Sequence, residues 1–184
     1  MTTINPDKSI YSHNVLEFVT VGIEYCAFLE KSQGRNRTDF IDTMLKLLPL
    51  LYVKAQLLPH IESNGDFLPQ GKVTEDDYNW IRRIVYDILG NDDQYLDISY
   101  EEEMETDETR WKSVSEHLAD IYQPVRNFLA VYQDGVEDCM ADALWSVVDS
   151  FGLYWGEALV DALKRLHKVH YAKSATDEEK DYYD

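Results

Sequence analysis

Apolar residues recur along most of the chain at steps of three and four positions, the spacing that keeps side chains on one face of an α-helix. The first such stretch begins near residue 12 and ends at the breaker Ser-Gln-Gly, residues 32–34. Further stretches cover residues 38–58, 74–89, 107–132 and 136–171. We find no sustained alternation of the kind typical of a strand. The pattern predicts an all-α protein, a single-domain bundle of about five main helices.

The predicted third helix has the clearest ends. Thr74 is a good N-cap, Asp77 three residues later completes a variant of the capping box, and Gly90 is a helix stop. Pro49 and Pro124 fall inside the second and fourth predicted helices. Because a proline removes one backbone hydrogen bond from a helix, we expect a kink at each.

The apolar faces assign most of the large side chains to the core. Trp80 falls on the face of the third predicted helix, Trp111 and Leu118 on that of the fourth, and Trp155 on that of the fifth. Trp145 is the exception, because it lies on the fifth helix away from the main apolar stripe. An aromatic side chain on a polar face predicts an interface, unless another helix covers it.

The charge of the chain limits the classes of partner that it is expected to bind. The chain has 184 residues and a net charge of −18, with nine acidic residues and no Lys or Arg in residues 91–109. Residues 174–184 are also acidic, and we expect a mobile tail there, beyond one helical domain of residues 1–173. Nucleic acids and anionic membranes bind proteins mainly through Lys and Arg, so this balance disfavours both.

The sequence also bears on the cellular compartment of the protein. Its two cysteines are not in a CxxC motif, the N-terminal residues do not resemble a signal peptide, and no apolar run is long enough to span a membrane. We therefore expect a cytoplasmic protein.

Four segments of the chain together point to a known family. Residues 18–30 read FVTVGIEYCAFLE and residues 46–55 read KLLPLLYVKA. Residues 118–122 read LADIY, and YWG at residues 154–156 is followed by LKRLH at residues 163–167. These segments resemble a bacterial family of helical domains, the domain-of-unknown-function family numbered 5063. The resemblance implies an all-helical fold and brings no activity with it.

Spaced carboxylates on the fourth and fifth predicted helices form the first candidate site. Glu116 and Asp120 are four residues apart, and Asp149 lies level with them if the helices pack antiparallel across the Asp-Gly turn at residues 134–135. Carboxylates on neighbouring helices can hold Mg²⁺ or Mn²⁺, as in a metal-dependent hydrolase of a phosphorylated small molecule. The simpler interpretation is a pair of solvated helix faces that hold no metal.

Arg35 and Arg37 precede the second predicted helix, for which Thr38 is the expected N-cap. A helix N-terminus beside two arginines favours anions, so these residues are a candidate anion site. Surface charge, or pairing with the protein's own acidic stretch, explains the same cluster. His117 we interpret as a structural histidine that could pair with a carboxylate.

Motifs for nucleophilic, dinucleotide or P-loop chemistry are absent from the sequence. We therefore predict a non-catalytic module that binds a protein or another ligand, without a cofactor. Its expected partner is a protein, and nucleic acid and membrane are not expected. The hydrolase is the alternative, and it requires the carboxylates of the fourth and fifth helices to converge in a cleft.

Overall fold

The computed structural model of the chain describes residues 10–62, 71–98 and 109–178. Within these ranges the helices are α1 (His13–Glu30), α2 (Arg37–Gln56), α3 (Glu75–Leu89), α4 (Val114–Asp134), α5 (Glu137–Ser150) and α6 (Gly156–Glu178). A π-helical turn, Phe151–Trp155, joins α5 to α6 without a break in helical conformation. The predicted all-α bundle is confirmed, and α5 and α6 together form its fifth predicted helix.

Helix α4 is central to the bundle, since it packs against α1, α3, α5 and α6. Its side chains Leu118, Ile121 and Val125 are fully buried. The approach of α1 is close at Gly22, where an added Cβ would lie 3.1 Å from Cγ1 of Val125. No helix of the described ranges combines the length and apolarity needed to cross a membrane.

A short antiparallel hairpin precedes α4 and corrects the sequence analysis, which expected no strand and began this helix at residue 107. Strand β1 (Gln94–Ile98) pairs with β2 (Thr109–Ser113), in a register that sets Leu96 opposite Trp111. Five residues per strand are too few for alternation to stand out. Helix α4 begins only after the hairpin, at Val114.

Asp93 fixes the junction between the hairpin and α4. Its buried carboxylate accepts hydrogen bonds from the backbone N–H of Ser115 at 2.7 Å and from its hydroxyl at 2.9 Å. Its backbone carbonyl accepts the N–H of Val114 at 3.0 Å. Ser113 caps the helix by accepting the N–H of Glu116. These bonds satisfy donors that every helix N-terminus leaves without a partner inside the helix.

The observed helix ends agree in part with those predicted from the sequence. Thr74 and Asp77 form the predicted capping box, with both reciprocal hydrogen bonds present. The N-cap of α2 is Asn36 instead of Thr38, since the Asn36 side chain accepts two backbone N–H groups. Pro49 and Pro124 lie inside continuous helices, so the expected kinks stay predictions. The backbone of α6 extends to residue 178, and the rest of the acidic tail and residues 99–108 lie outside the described ranges.

The π-helical turn holds Trp155 in the core. Trp155 is fully buried, and its indole N–H donates to the carbonyl of Val147 at 3.0 Å, which satisfies a buried donor. A Cβ at Gly156 would lie 2.6 Å from the carbonyl oxygen of Phe151, so the turn requires glycine there.

Candidate functional site

A groove of about 1230 Å³ separates the outward side of α3 from strand β2. We call it the α3–β2 groove. It is larger than a second pocket, of about 500 Å³, which lies between α1 and α4. Aromatic and charged side chains line it, among them Trp80, Tyr86, Trp111, Arg82, Arg83 and Glu116.

The aromatic residues of the groove are unusually exposed. The exposed fraction is 43% for Trp80, 50% for Tyr86 and 69% for Trp111. The assignment of Trp80 and Trp111 to core faces was therefore wrong. Trp80 is spaced four residues before the buried Ile84, but the packing of α3 turns it outward at the edge of the core face. Trp111 lies three residues before Val114, yet it belongs to a strand, so helical spacing does not apply to it.

The two faces of the hairpin have different roles. The inner face points at the bundle, where Nζ of Lys112 lies 2.8 Å from Oδ2 of Asp97 and 2.7 Å from Oδ2 of Asp161 on α6. Burial alone would lower the pKa of Lys112, but its bonds to these carboxylates raise that pKa above its usual range. The outer face carries Leu96 and Trp111, which are 51% and 69% exposed. The hairpin is thus held to α6 by charge while an apolar cross-strand pair faces outward.

His117 joins the same contact between the hairpin and the bundle. Its Nε2 lies 2.9 Å from the hydroxyl of Tyr95 on β1, so its partner is a phenol instead of the carboxylate considered from the sequence. Burial lowers the pKa of His117 and raises that of Tyr95 to about 12. The guanidinium of Arg165 lies over the Tyr95 ring, 5.5 Å from its centroid. These contacts fix the position of β1.

The structure does not bring the three carboxylates of the candidate metal site together. Glu116 lies at the groove and pairs with Arg82, whose Nη1 is 3.2 Å away. Asp120 accepts a hydrogen bond from the hydroxyl of Tyr78 at 2.8 Å. Asp149 lies on the exposed side of α5. In the described part of the chain, no group of three or more His, Cys, Asp or Glu side chains is arranged to hold a metal ion.

The two arginines of the candidate anion site reach different partners. Arg37 forms an ion pair with Asp92, which belongs to the acidic stretch at residues 91–109. The guanidinium of Arg35 lies 4.7 Å from the centroid of the Phe28 ring. Because Asn36 already accepts N–H groups of the α2 N-terminus, an anion would have to displace existing contacts. Anion binding there stays a prediction.

Trp145 is 37% exposed on α5 and lies outside the groove lining. Its predicted role as an interface residue stays a prediction. The exposure of three residues was not predicted from the sequence: Trp80, Trp111 and Leu96. Each fits a helical or loop pattern that carries no sign of exposure. No clear signal in the sequence marks Leu96 and Trp111, because neither QYLDI at residues 94–98 nor TRWKS at residues 109–113 alternates between polar and apolar positions.

Comparisons with known proteins agree with the fold. The family described as Domain of unknown function (DUF5063) matches residues 9–172. The chain belongs to this family. A crystal structure of protein BF1032 from Bacteroides fragilis is similar, with 44% sequence identity and a TM-score of 0.80 over 89% of this chain and 96% of that chain. No curated protein matches the chain. The resemblance drawn from sequence is confirmed, and these comparisons assign no activity.

Proposed function

We propose that this DUF5063 protein is a non-catalytic protein-interaction module that docks its partner on the α3–β2 groove and the outer face of the hairpin. The observation that carries the proposal is the exposure of Trp80 and Trp111 on one concave surface, with Leu96 beside Trp111. A few residues carry most of the binding energy at protein interfaces, and tryptophan, tyrosine and arginine are enriched among them. A tryptophan that is 69% exposed contributes little to the packing of the core. Exposed apolar surface of this kind is typical of a binding site for another protein.

The chemistry around the groove supports binding over catalysis. Glu116 is paired with Arg82, and His117 is hydrogen-bonded to Tyr95. Lys112 bridges two carboxylates and is held in its charged form. An acid, base or nucleophile needs a reactive protonation state and access to a substrate, and these groups are already engaged with one another.

The remaining parts of the proposal concern location and partner class. We place the protein in the cytoplasm, with support from Cys26 and Cys139, which are both free thiols. The net charge of −18 supports a protein partner over nucleic acid or an anionic membrane. The module as proposed needs no cofactor.

Site-specific cross-linking in the native host tests the docking surface. A photo-reactive amino acid replaces Trp111 in one variant and Leu153 in a control variant. Leu153 is matched in exposure, at 72%, but does not line the groove. We expect light-dependent adducts to one defined protein from position 111 and none to that protein from position 153. No adduct at position 111, or equal adducts at both positions, would contradict the proposal.

A further inference from the structure

One edge of β2 opens into the α3–β2 groove. Trp111, Lys112 and Ser113 of β2 line the groove. From β1 only its first residue, Gln94, lines it, and Tyr95 and Leu96 do not. The side chain of Lys112 points away toward Asp161, so Lys112 contributes its backbone to the lining. Beyond the first pair of the ladder, Gln94 and Ser113, the lining comes from β2 and not from β1, so we infer that the edge of β2 opposite β1 faces the groove.

The register shows which backbone groups this edge presents. The N–H of Val114 donates to the carbonyl of Asp93, so these two residues form a hydrogen-bonded pair at the base of the ladder. Hydrogen-bonded and non-hydrogen-bonded pairs alternate along an antiparallel ladder. Residues 94 and 113 then form a non-hydrogen-bonded pair, residues 95 and 112 a bonded one, and Leu96 and Trp111 a non-hydrogen-bonded one. The N–H and C=O of Trp111 therefore point away from β1, toward the groove.

No residue of the described ranges forms a hydrogen bond with these two backbone groups of Trp111. An open strand edge is a template for another extended chain, and proteins usually block such edges with lysine, proline or a covering element. Here the residue at the edge is an exposed tryptophan, and its backbone opens into a groove of about 1230 Å³. The edge thus offers hydrogen bonds and apolar contact at the same place.

We propose that the occupant of the groove is an extended segment of the partner protein, which adds to β2 as the third strand of the sheet. This inference rests on the proposed function and specifies the form of the partner. A strand can bond to both groups of Trp111, whereas a docked helix has no free backbone N–H or C=O along its length. Side chains alternate along a strand, so every second residue of the partner lies on the outer face beside Trp111, where apolar side chains fit.

Arg83 gives the partner a second recognisable feature. Arg83 lines the groove on α3 and has no ion-pair or hydrogen-bond partner among the described residues. An arginine favours carboxylates, with which it forms charge-assisted bonds. The best occupant is therefore an extended segment with an apolar residue beside Trp111 and an acidic residue that reaches Arg83.

Two variants at one position separate strand addition from side-chain docking. Trp111→Ala and Trp111→Pro both remove the indole, but only proline also removes the N–H that points into the groove. Proline is tolerated on edge strands where the N–H faces away from the sheet, so the Trp111→Pro hairpin is expected to form. The probe is a phage-displayed library of random peptides, each about twelve residues long and so longer than a typical strand.

Peptides selected on the wild-type protein are then measured against both variants. We expect Trp111→Pro to bind them at least about fivefold more weakly than Trp111→Ala, the factor typical of losing one backbone hydrogen bond. In the wild-type protein, the peptide should also slow hydrogen exchange of the Trp111 amide in NMR spectra. If Trp111→Pro proves unfolded by circular dichroism, the exchange measurement on the wild type decides alone.

Strand addition is overturned if the two variants bind the peptides equally and the Trp111 amide stays unprotected. It is also overturned if the library yields no peptide that the wild-type protein binds. In either case an adduct specific to position 111 in the cross-linking experiment leaves the docking surface intact, with a helix or a folded surface as its occupant. Loss of that adduct is the separate failure of the proposed function.

Discussion

The region around Trp155 and the α3–β2 groove use the same residue type in opposite ways. Trp155 is fully buried, its indole N–H is hydrogen-bonded, and Phe18 and Phe151 contact its ring. Trp111 is 69% exposed on a hairpin held by charged groups on its other face. The difference separates stability from recognition, because a buried aromatic side chain stabilises the fold and an exposed one is available to a partner. Substitutions in the two regions should therefore have different effects.

The largest effect is expected in the core. Trp155→Ala removes a fully buried indole and leaves a cavity, so we expect the free energy of unfolding to fall by about 3–5 kcal/mol. Denaturation by urea with far-UV circular dichroism measures the loss. A loss below about 1 kcal/mol would mean that the two regions do not differ as described.

A substitution at the junction between the hairpin and α4 should have an intermediate effect on stability. Asp93→Ala leaves the N–H and the hydroxyl of Ser115 without their acceptor in a buried site, and we expect a loss of about 1–3 kcal/mol. Asp87→Ala, at an exposed groove residue, is the matched control and should change stability by about 0.5 kcal/mol or less. Equal losses for the two variants would show that Asp93 does not fix the junction.

A smaller effect is expected from pH at the inner face of the hairpin. The pKa of His117 is lowered by burial, so the folded state favours neutral imidazole more than the unfolded state does. His117 therefore contributes its full stabilisation at a pH above about 6.5, the pKa of histidine in the unfolded chain. This contribution is lost as the pH falls below that value. The melting temperature of the wild type should therefore drop more between neutral and mildly acidic pH than that of His117→Gln. Parallel pH dependences for the two proteins would argue that His117 does not titrate in this way.

At the groove itself the expected effect on stability is close to zero. Trp111→Ala removes an exposed side chain, so the free energy of unfolding should change by about 0.5 kcal/mol or less. The same variant should bind the partner at the groove more weakly than the wild type does. A loss of stability close to that of Trp155→Ala would remove the distinction between the two regions.

The smallest expected effect concerns the metal hypothesis, since Glu116 belongs to both the groove and the candidate metal site. A ligand that binds only the folded state raises the melting temperature. We expect millimolar Mg²⁺ or Mn²⁺ to leave the melting temperature unchanged, with Asp149→Asn as the control. An increase in the wild type that disappears in Asp149→Asn would favour the hydrolase over the docking module.

The local features of the fold were accessible from sequence, and the candidate site was not. The Thr74–Asp77 capping box was predicted residue by residue, because its hydrogen bonds join positions three apart. The burial of Leu118 and Trp155 also followed from helical spacing. The hairpin was missed, since its strands pair residues separated by a segment in which no pattern marks the pairing. Without the hairpin, the groove could not be predicted.

The helical class, the family and most of the core could be inferred from the sequence, because helical periodicity and capping depend on neighbours within one or two turns. Which tryptophans are exposed depends on the tertiary fold. Lys112 lies against Asp161 only when the chain is folded, and that contact turns Trp111 outward on the opposite face of β2. Exposure depends on contacts between residues far apart in the chain, and periodicity along one helix or strand does not contain that information.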